Sequence, residues 1–104
     1  MKKKIYLSFP ISGYDIEERR DTAMQMEVKL RGAGFDVFNP LNNGLPVTAT
    51  TQEHMKADIA ALLTCDSIFL MNGWNRSAGC KCELDVATAI GLDVYFEAQV
   101  NIRL

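Results

Sequence analysis

The chain has 104 residues, 48% of them hydrophobic, with 11 basic against 13 acidic side chains and a formal net charge of -2. That length suits one core, so a single domain over residues 1–104 is expected. The charge balance supplies no field for wrapping a polymeric nucleic acid, which leaves a small molecule as the expected partner.

Residues 4–9 are short, apolar and aromatic-rich and run into Pro10 and Gly13, the pattern of a buried strand entering a loop. The lysines before it, Lys2, Lys3 and Lys4, read as charges protecting a terminus. Residues 15–31 carry Ile16, Ala23, Met26, Val28 and Leu30 at roughly helical spacing, with acids early and Gly32 and Gly34 at the end, which predicts a surface helix. A brief second strand is expected over residues 35–38, closed by Asn39 and Pro40, because proline cannot donate to a ladder.

Residues 41–50, rich in Asn, Gly, Pro and Thr, predict a long loop. Helical spacing resumes over residues 51–64 through Met55, Ile59, Leu62 and Leu63, with Thr50 or Thr51 as cap and Glu53 in the first turn. A third buried strand follows at residues 66–71, a loop at 72–77, a helix at 79–90 ended by Gly91, and a fourth strand at 94–96. Residues 100–104 are a candidate edge strand. This alternation predicts an α/β three-layer sandwich around a doubly wound, mainly parallel sheet of four to five strands, flavodoxin-like or Rossmann-like, because parallel neighbours need helical crossovers. Ligands bind such sheets beyond the carboxyl ends of the strands, which singles out the loops at 9–15, 39–50 and 72–79.

No apolar run approaches the ~20 residues that span a bilayer, and no secretory signal is visible, so no membrane contact and a cytoplasmic location are expected. Cys65, Cys80 and Cys82 are an odd number of thiols at a spacing that disfavours a mutual bridge, so they are expected reduced. Zinc would need at least one ligand besides these cysteines, and only His54 is available outside the carboxylates, so neither a metal nor another cofactor is expected. The first loop is neither a GxGxxG nor a Walker phosphate loop, which argues against a dinucleotide fold and an ATPase.

The third loop, from Asn72 through Trp74, Asn75 and Ser77 to Gly79, would present backbone N–H groups and a hydroxyl at a positive helix end, suited to a phosphate or a sugar hydroxyl; an ordinary capped helix start explains it equally. Glu83 lies about one turn into that helix and shares the i, i+4, i+7 face with Ala87 and Ile90, which with Leu84 are expected to be buried. A carboxylate on an apolar face must be paired, protonated or functional. Asp58 shares a face with Met55 and Leu62 and is the preferred second acid. Asp66 reads equally as a structural cap, Asp85 as solvated and Asp93 as a turn residue. Two carboxylates flanking a C1′ carbon are what glycosidic chemistry needs, one attacking and one moving a proton.

These residues resemble the nucleoside 2-deoxyribosyltransferase-like superfamily, including the 2′-deoxynucleoside 5′-phosphate N-hydrolases, and most closely the DUF4406 family. The resemblance rests on residues 4–13, on Asn39 and Pro40, on Met55 to Asp58 followed by Leu62 to Asp66, and on Trp74 to Gly79 leading to Glu83 and Ala87. It implies that Glu83 is a nucleophile forming a covalent glycosyl-enzyme, that Asp58 is an acid or base, and that Tyr6 orients the nucleophile or the sugar. It further implies that Ser12 and Gly13 lie near sugar and phosphate, and that Ser77, where the transferases carry aspartate, tilts the substrate toward a 5′-monophosphate. Trp74, Asn75 and Gly79 complete the expected binding set. Lys81 and the two cysteines before Glu83 stand where relatives often have small residues, which puts substrate choice in question. A homodimer is implied by the resemblance alone. Two other classes stay open: a non-catalytic nucleotide-binding or sensing module on the same fold, and a structural partner protein using the Trp74 loop as its surface.

Overall fold

A computed structural model of the chain describes residues 2–46 and 48–99; the expected edge strand at 100–104 lies outside the described residues. Four strands, β1 (Lys4–Ser8), β2 (Asp36–Phe38), β3 (Ser67–Leu70) and β4 (Asp93–Phe96), form one sheet in the order β2-β1-β3-β4. All neighbours pair in parallel, with Tyr6 opposite Phe38 on one side and Ile68 on the other. Helices α1 (Ile16–Gly32), α2 (Thr51–Leu62) and α3 (Ala78–Ala89) supply the crossovers.

Strand alternation sorts the core into two layers. Ile5, Leu7 and Phe9 point to one face, where they meet Phe69, Met71 and the α1 residues Ala23, Met26 and Leu30. Tyr6 points to the other, with Ile68 and Leu70, and meets Leu62 of α2 and Cys80 and Ala87 of α3. Since β1 and β3 are buried on both faces, they read as near-continuous apolar runs, as central parallel strands do.

The helix boundaries follow local chemistry. Asp15 caps α1 by accepting from the Glu17 N–H at 2.9 Å, and Thr50 and Glu53 form a reciprocal capping box at the start of α2. Ser77 caps α3 by accepting from the Cys80 N–H at 3.2 Å. The loop before α2 holds one short 3-10 turn, Pro40–Asn42, set by the Asn39 side chain.

Ile90, expected to be buried, is outside, and three other apolar residues at helical spacing are exposed with it. Ile90 is 47% exposed because α3 ends at Ala89, so helical periodicity no longer places the next side chain. Leu63 follows the end of α2 in the same way. On α1, Ile16 and Val28 lie off the Ala23–Met26–Leu30 stripe and face outward.

The Ser67 hydroxyl is buried with no hydrogen-bond partner among the described residues. An unpaired buried hydroxyl costs about 1–3 kcal/mol, so Ser67→Ala is expected to be neutral or stabilising in urea unfolding. Phe69→Ala, which empties the α1-side core, is expected to lose about 3–5 kcal/mol in the same assay.

Candidate active site

The sheet order makes β1 and β3 the switch point: the chain leaves β1 toward β2 on one side and leaves β3 toward β4 on the other. In sheets of this kind ligands bind between the loops that follow these two strands. These loops touch: Gly73, at φ +93°, sits so close to the first loop that an added Cβ would stand 3.2 Å from Pro10 Cγ. Arg19 braces the first loop from beneath, with its guanidinium 4.5 Å over the Tyr14 ring and an ion pair to Glu18.

Glu83 comes down from the first turns of α3 onto the C-terminal half of β1 and is only 7% exposed. Its Oε2 accepts from the Tyr6 hydroxyl at 2.6 Å and its Oε1 accepts from the Ser8 hydroxyl at 2.7 Å. Both donors project from the same face of β1 because they are two residues apart. Tyr6 is itself fixed by stacking on Phe38 of β2, with centroids 5.3 Å apart. No cation pairs with Glu83 among the salt bridges of the described residues.

The electrostatics follow from burial. Desolvation pushes the Glu83 pKa up, the Tyr6 and Ser8 hydrogen bonds pull it back, and the charge of Asp58 raises it again. Burial first, and then the Glu83 charge, push the Tyr6 phenol far above its ordinary value, so Tyr6 is a committed donor. Burial also raises the Cys80 thiol, which lies beside the Ser8 and Ser77 hydroxyls. It is therefore a neutral thiol packed next to the carboxylate.

Asp58 sits half-buried in the middle of α2, with its pKa raised by desolvation and lowered by an Asn43 hydrogen bond and by His54. Its Oδ1 accepts from Asn43 Nδ2 at 3.0 Å, and the same nitrogen stands 3.0 Å from His54 Nδ1. No hydrogen bond among the described residues joins Asp58 to Glu83, yet the Asp58 charge is felt at both Glu83 and Tyr6, which puts the two acids in one electrostatic neighbourhood.

The remaining expected residues lie on the first and third loops and at the start of α3. Ser12 and Gly13 are exposed on the first loop, with Gly13 at φ +84°. Asn75 is exposed within the short turn Trp74–Arg76. Trp74 is half-buried and packs its ring 5.3 Å from Phe96, so part of it belongs to the core. Ser77 faces the α3 N-terminus as its cap, and a Cβ on Gly79 would lie 3.5 Å from the Met55 methyl, at the contact between α3 and α2. Asp66 accepts from the Lys4 backbone N–H at 2.9 Å at the far end of the sheet, the structural role. Asp85 and Asp93 are exposed.

Ser8, Asn43 and His54 were not singled out from the sequence. Strand alternation offers a signal for Ser8, which shares the Tyr6 face; nothing local marks Asn43. Two open hollows lie elsewhere, one of about 580 Å3 beside Lys2, Lys3 and Phe35 and one of about 430 Å3 along Met24 and Val28 of α1. Neither includes a residue of the Tyr6–Ser8–Glu83 group. The site is identified by its hydrogen-bonded carboxylate.

An all-parallel sheet with helices on both faces and polar groups gathered at its switch point defines a flavodoxin-like α/β protein. The chain belongs to the family described as Domain of unknown function (DUF4406), whose model matches residues 3–96. Among solved structures it is similar to the Clostridium botulinum CMP N-glycosidase BcmB, with a TM-score of 0.64 at 19% identity, over 94% of this chain and 75% of that one. No match was found among curated proteins. Among the described residues no helix is long and apolar enough to cross a membrane.

The raised pKa of Glu83 has a consequence for stability. The folded state binds the Glu83 proton more tightly than the unfolded chain does, so folding stability falls as pH rises from the ordinary value of 4.5 through the raised folded value. Glu83→Gln removes that titration. Urea unfolding across a pH series is expected to show the wild type losing stability relative to this variant over that window; the opposite slope would mean a carboxylate stabilised by its surroundings.

Proposed function

We propose that the chain cleaves or transfers at the N-glycosidic bond of a nucleoside or nucleoside 5′-monophosphate, with Glu83 as nucleophile. The observation that carries this reading is the buried Glu83 carboxylate held by Tyr6 and Ser8, with no cation paired to it among the described residues. A structural carboxylate at this depth is normally neutralised by an ion pair. Two hydroxyl donors instead fix both oxygens while leaving each with a lone pair to offer an electrophile. The fold likeness to a CMP N-glycosidase agrees with this chemistry.

In the first step one Glu83 oxygen bonds to C1′ as the C1′–N bond breaks. The bond pair leaves with the base, which takes a proton from Asp58. In the second step Asp58, now a carboxylate, takes a proton from water or a second base, and that acceptor displaces Glu83 from C1′. Tyr6 positions the nucleophile by donating to Oε2. Ser12 and Gly13 on the first loop, with Asn75 and Ser77 on the third, receive the sugar and its 5′-phosphate beside the α3 N-terminus. Trp74 forms the wall toward the base. The substrate in this reading is a small nucleoside or nucleotide and not a polymer, and a homodimer stays a proposal that rests on the family resemblance.

Incubation with a panel of nucleosides and 5′-monophosphates is expected to release free base. Glu83→Ala is expected to abolish release and Asp58→Asn to slow it by about 10²–10⁴-fold. Intact-protein mass spectrometry of rapidly quenched turnover is expected to find a glycosyl adduct that is missing in Glu83→Ala. Folded wild-type protein that gains thermal stability from a nucleotide but yields no base would assign it to a binding or sensing role.

Because attack needs Glu83 ionised and leaving-group protonation needs Asp58 protonated, kcat is expected to rise with pH through one apparent pKa and fall through a second. Burial raises both acids, so the plateau is expected above the ordinary carboxylate range. Tyr6→Phe removes one donor from Glu83 and is expected to move the acidic limb further up.

A further inference from the structure

We infer that Asn43 and His54 are positioning residues that fix which oxygen of Asp58 carries the proton. The inference rests on the reading of Asp58 as the acid in the proposed reaction. The capping box of Thr50 and Glu53 starts α2 so that His54 and Asp58 stand one turn apart on the same helical face. Asn43 reaches them from the preceding loop. Its Oδ1 accepts from the Leu45 N–H at 3.1 Å, which commits the carbonyl end of the amide to its own loop and turns the nitrogen end toward α2. Nδ2 then lies 3.0 Å from His54 Nδ1 and 3.0 Å from Asp58 Oδ1.

An amide nitrogen has two hydrogens, and this geometry uses both. His54 Nδ1 accepts here only in a neutral ring with its hydrogen on Nε2; the protonated ring, whose charge lowers the Asp58 pKa, cannot take this hydrogen bond. Asp58 Oδ1 must also accept, so a neutral Asp58 carries its proton on Oδ2. The order of orientation runs from His54 to the Asn43 amide to the acid. A general acid gains from such fixing because proton transfer depends on the donor's direction, and a displacement of about 1 Å can cost about 100-fold in rate. The titratable groups facing Asp58 from the surrounding elements are His54 of α2, Glu83 of α3 and Tyr6 of β1. Asn43 is the member that does not titrate, and the one supplied by a loop.

The test uses the full chain and two readouts, the carbon-13 titration of the Asp58 carboxyl without ligand and the pH profile of kcat and KM for base release from nucleoside 5′-monophosphates. Asn43→Ala is expected to raise the Asp58 titration midpoint and to lower kcat by about 10–100-fold with little change in KM. Asn43→Asp, which keeps the size and replaces the donor by a second carboxylate, is expected to raise the midpoint further and serves if the alanine variant does not fold. His54→Ala is expected to lower kcat in the same direction, and His54→Asn, which restores an acceptor, to recover part of it. An unmoved Asp58 midpoint in the Asn43 variants, or a loss confined to KM, overturns the inference. An Asp58 midpoint shifted by the Asn43 variants, in a protein whose wild type releases no base, supports the relay and removes the assigned reaction. Normal turnover with an unmoved midpoint removes the relay and leaves the reaction standing.

Discussion

The contact between α3 and β1, a carboxylate lowered onto two hydroxyls, is the constraint around which the site is organised. Placing an ionisable group at this depth is unfavourable unless its charge is solvated by something in the protein, and here Tyr6 and Ser8 do that at 2.6 and 2.7 Å. Their ability to do so comes from the strand. Ile5 and Leu7 must face α1 to complete one core layer, so Tyr6 and Ser8 have to face the other. A slip of one residue would send both hydroxyls into the apolar α1 layer and leave Glu83 against leucine and isoleucine. Core and site thus specify the same register.

The order of the strands decides which loops can serve that carboxylate. Because β2 and β4 lie on opposite flanks of the β1–β3 pair, the chain leaves β1 and β3 in opposite directions, the arrangement at which such sheets bind ligands. Gly73 lets the loops after β1 and β3 meet against Pro10, while Arg19 stiffens the first from below. The loop after β2 reaches the same region from another side and brings Asn43 to Asp58. Three chain segments distant in sequence are therefore set by one topological feature.

How much of this was legible in the sequence depended on whether the deciding physics was local. Strands and helices were, since alternation, capping residues and turn glycines act over a few positions; the capping box at Thr50 and Glu53 is one such case. Glu83 was legible because a lone acid on an apolar helical face is conspicuous before any partner is known. Its partners were less so. Ser8 looks like any small strand residue until α3 is placed above it, and Asn43 is one asparagine among several in a loop whose path depends on α2. The misplaced apolar residues fail for a related reason: periodicity holds only while the helix continues, so Ile90 and Leu63, just past the ends of α3 and α2, escape the face they were assigned.

The coupling between the two acids fits the proposed reaction in a further way. Like charges in a poorly solvated site make one ionised and one protonated carboxyl easier to hold than two ionised ones, and the Asp58 charge does raise Glu83. Double displacement keeps that count. Under the proposed reaction Glu83 would be ionised at the outset and Asp58 would carry the proton. In the proposed glycosyl intermediate Glu83 would be a neutral ester and Asp58, having given its proton to the base, the charged member. Attack by the acceptor would return a proton to Asp58 and the charge to Glu83. One negative charge would pass back and forth, so that reaction would never require the buried site to hold two. Cys80, a neutral thiol beside the same serine, adds no charge to this exchange.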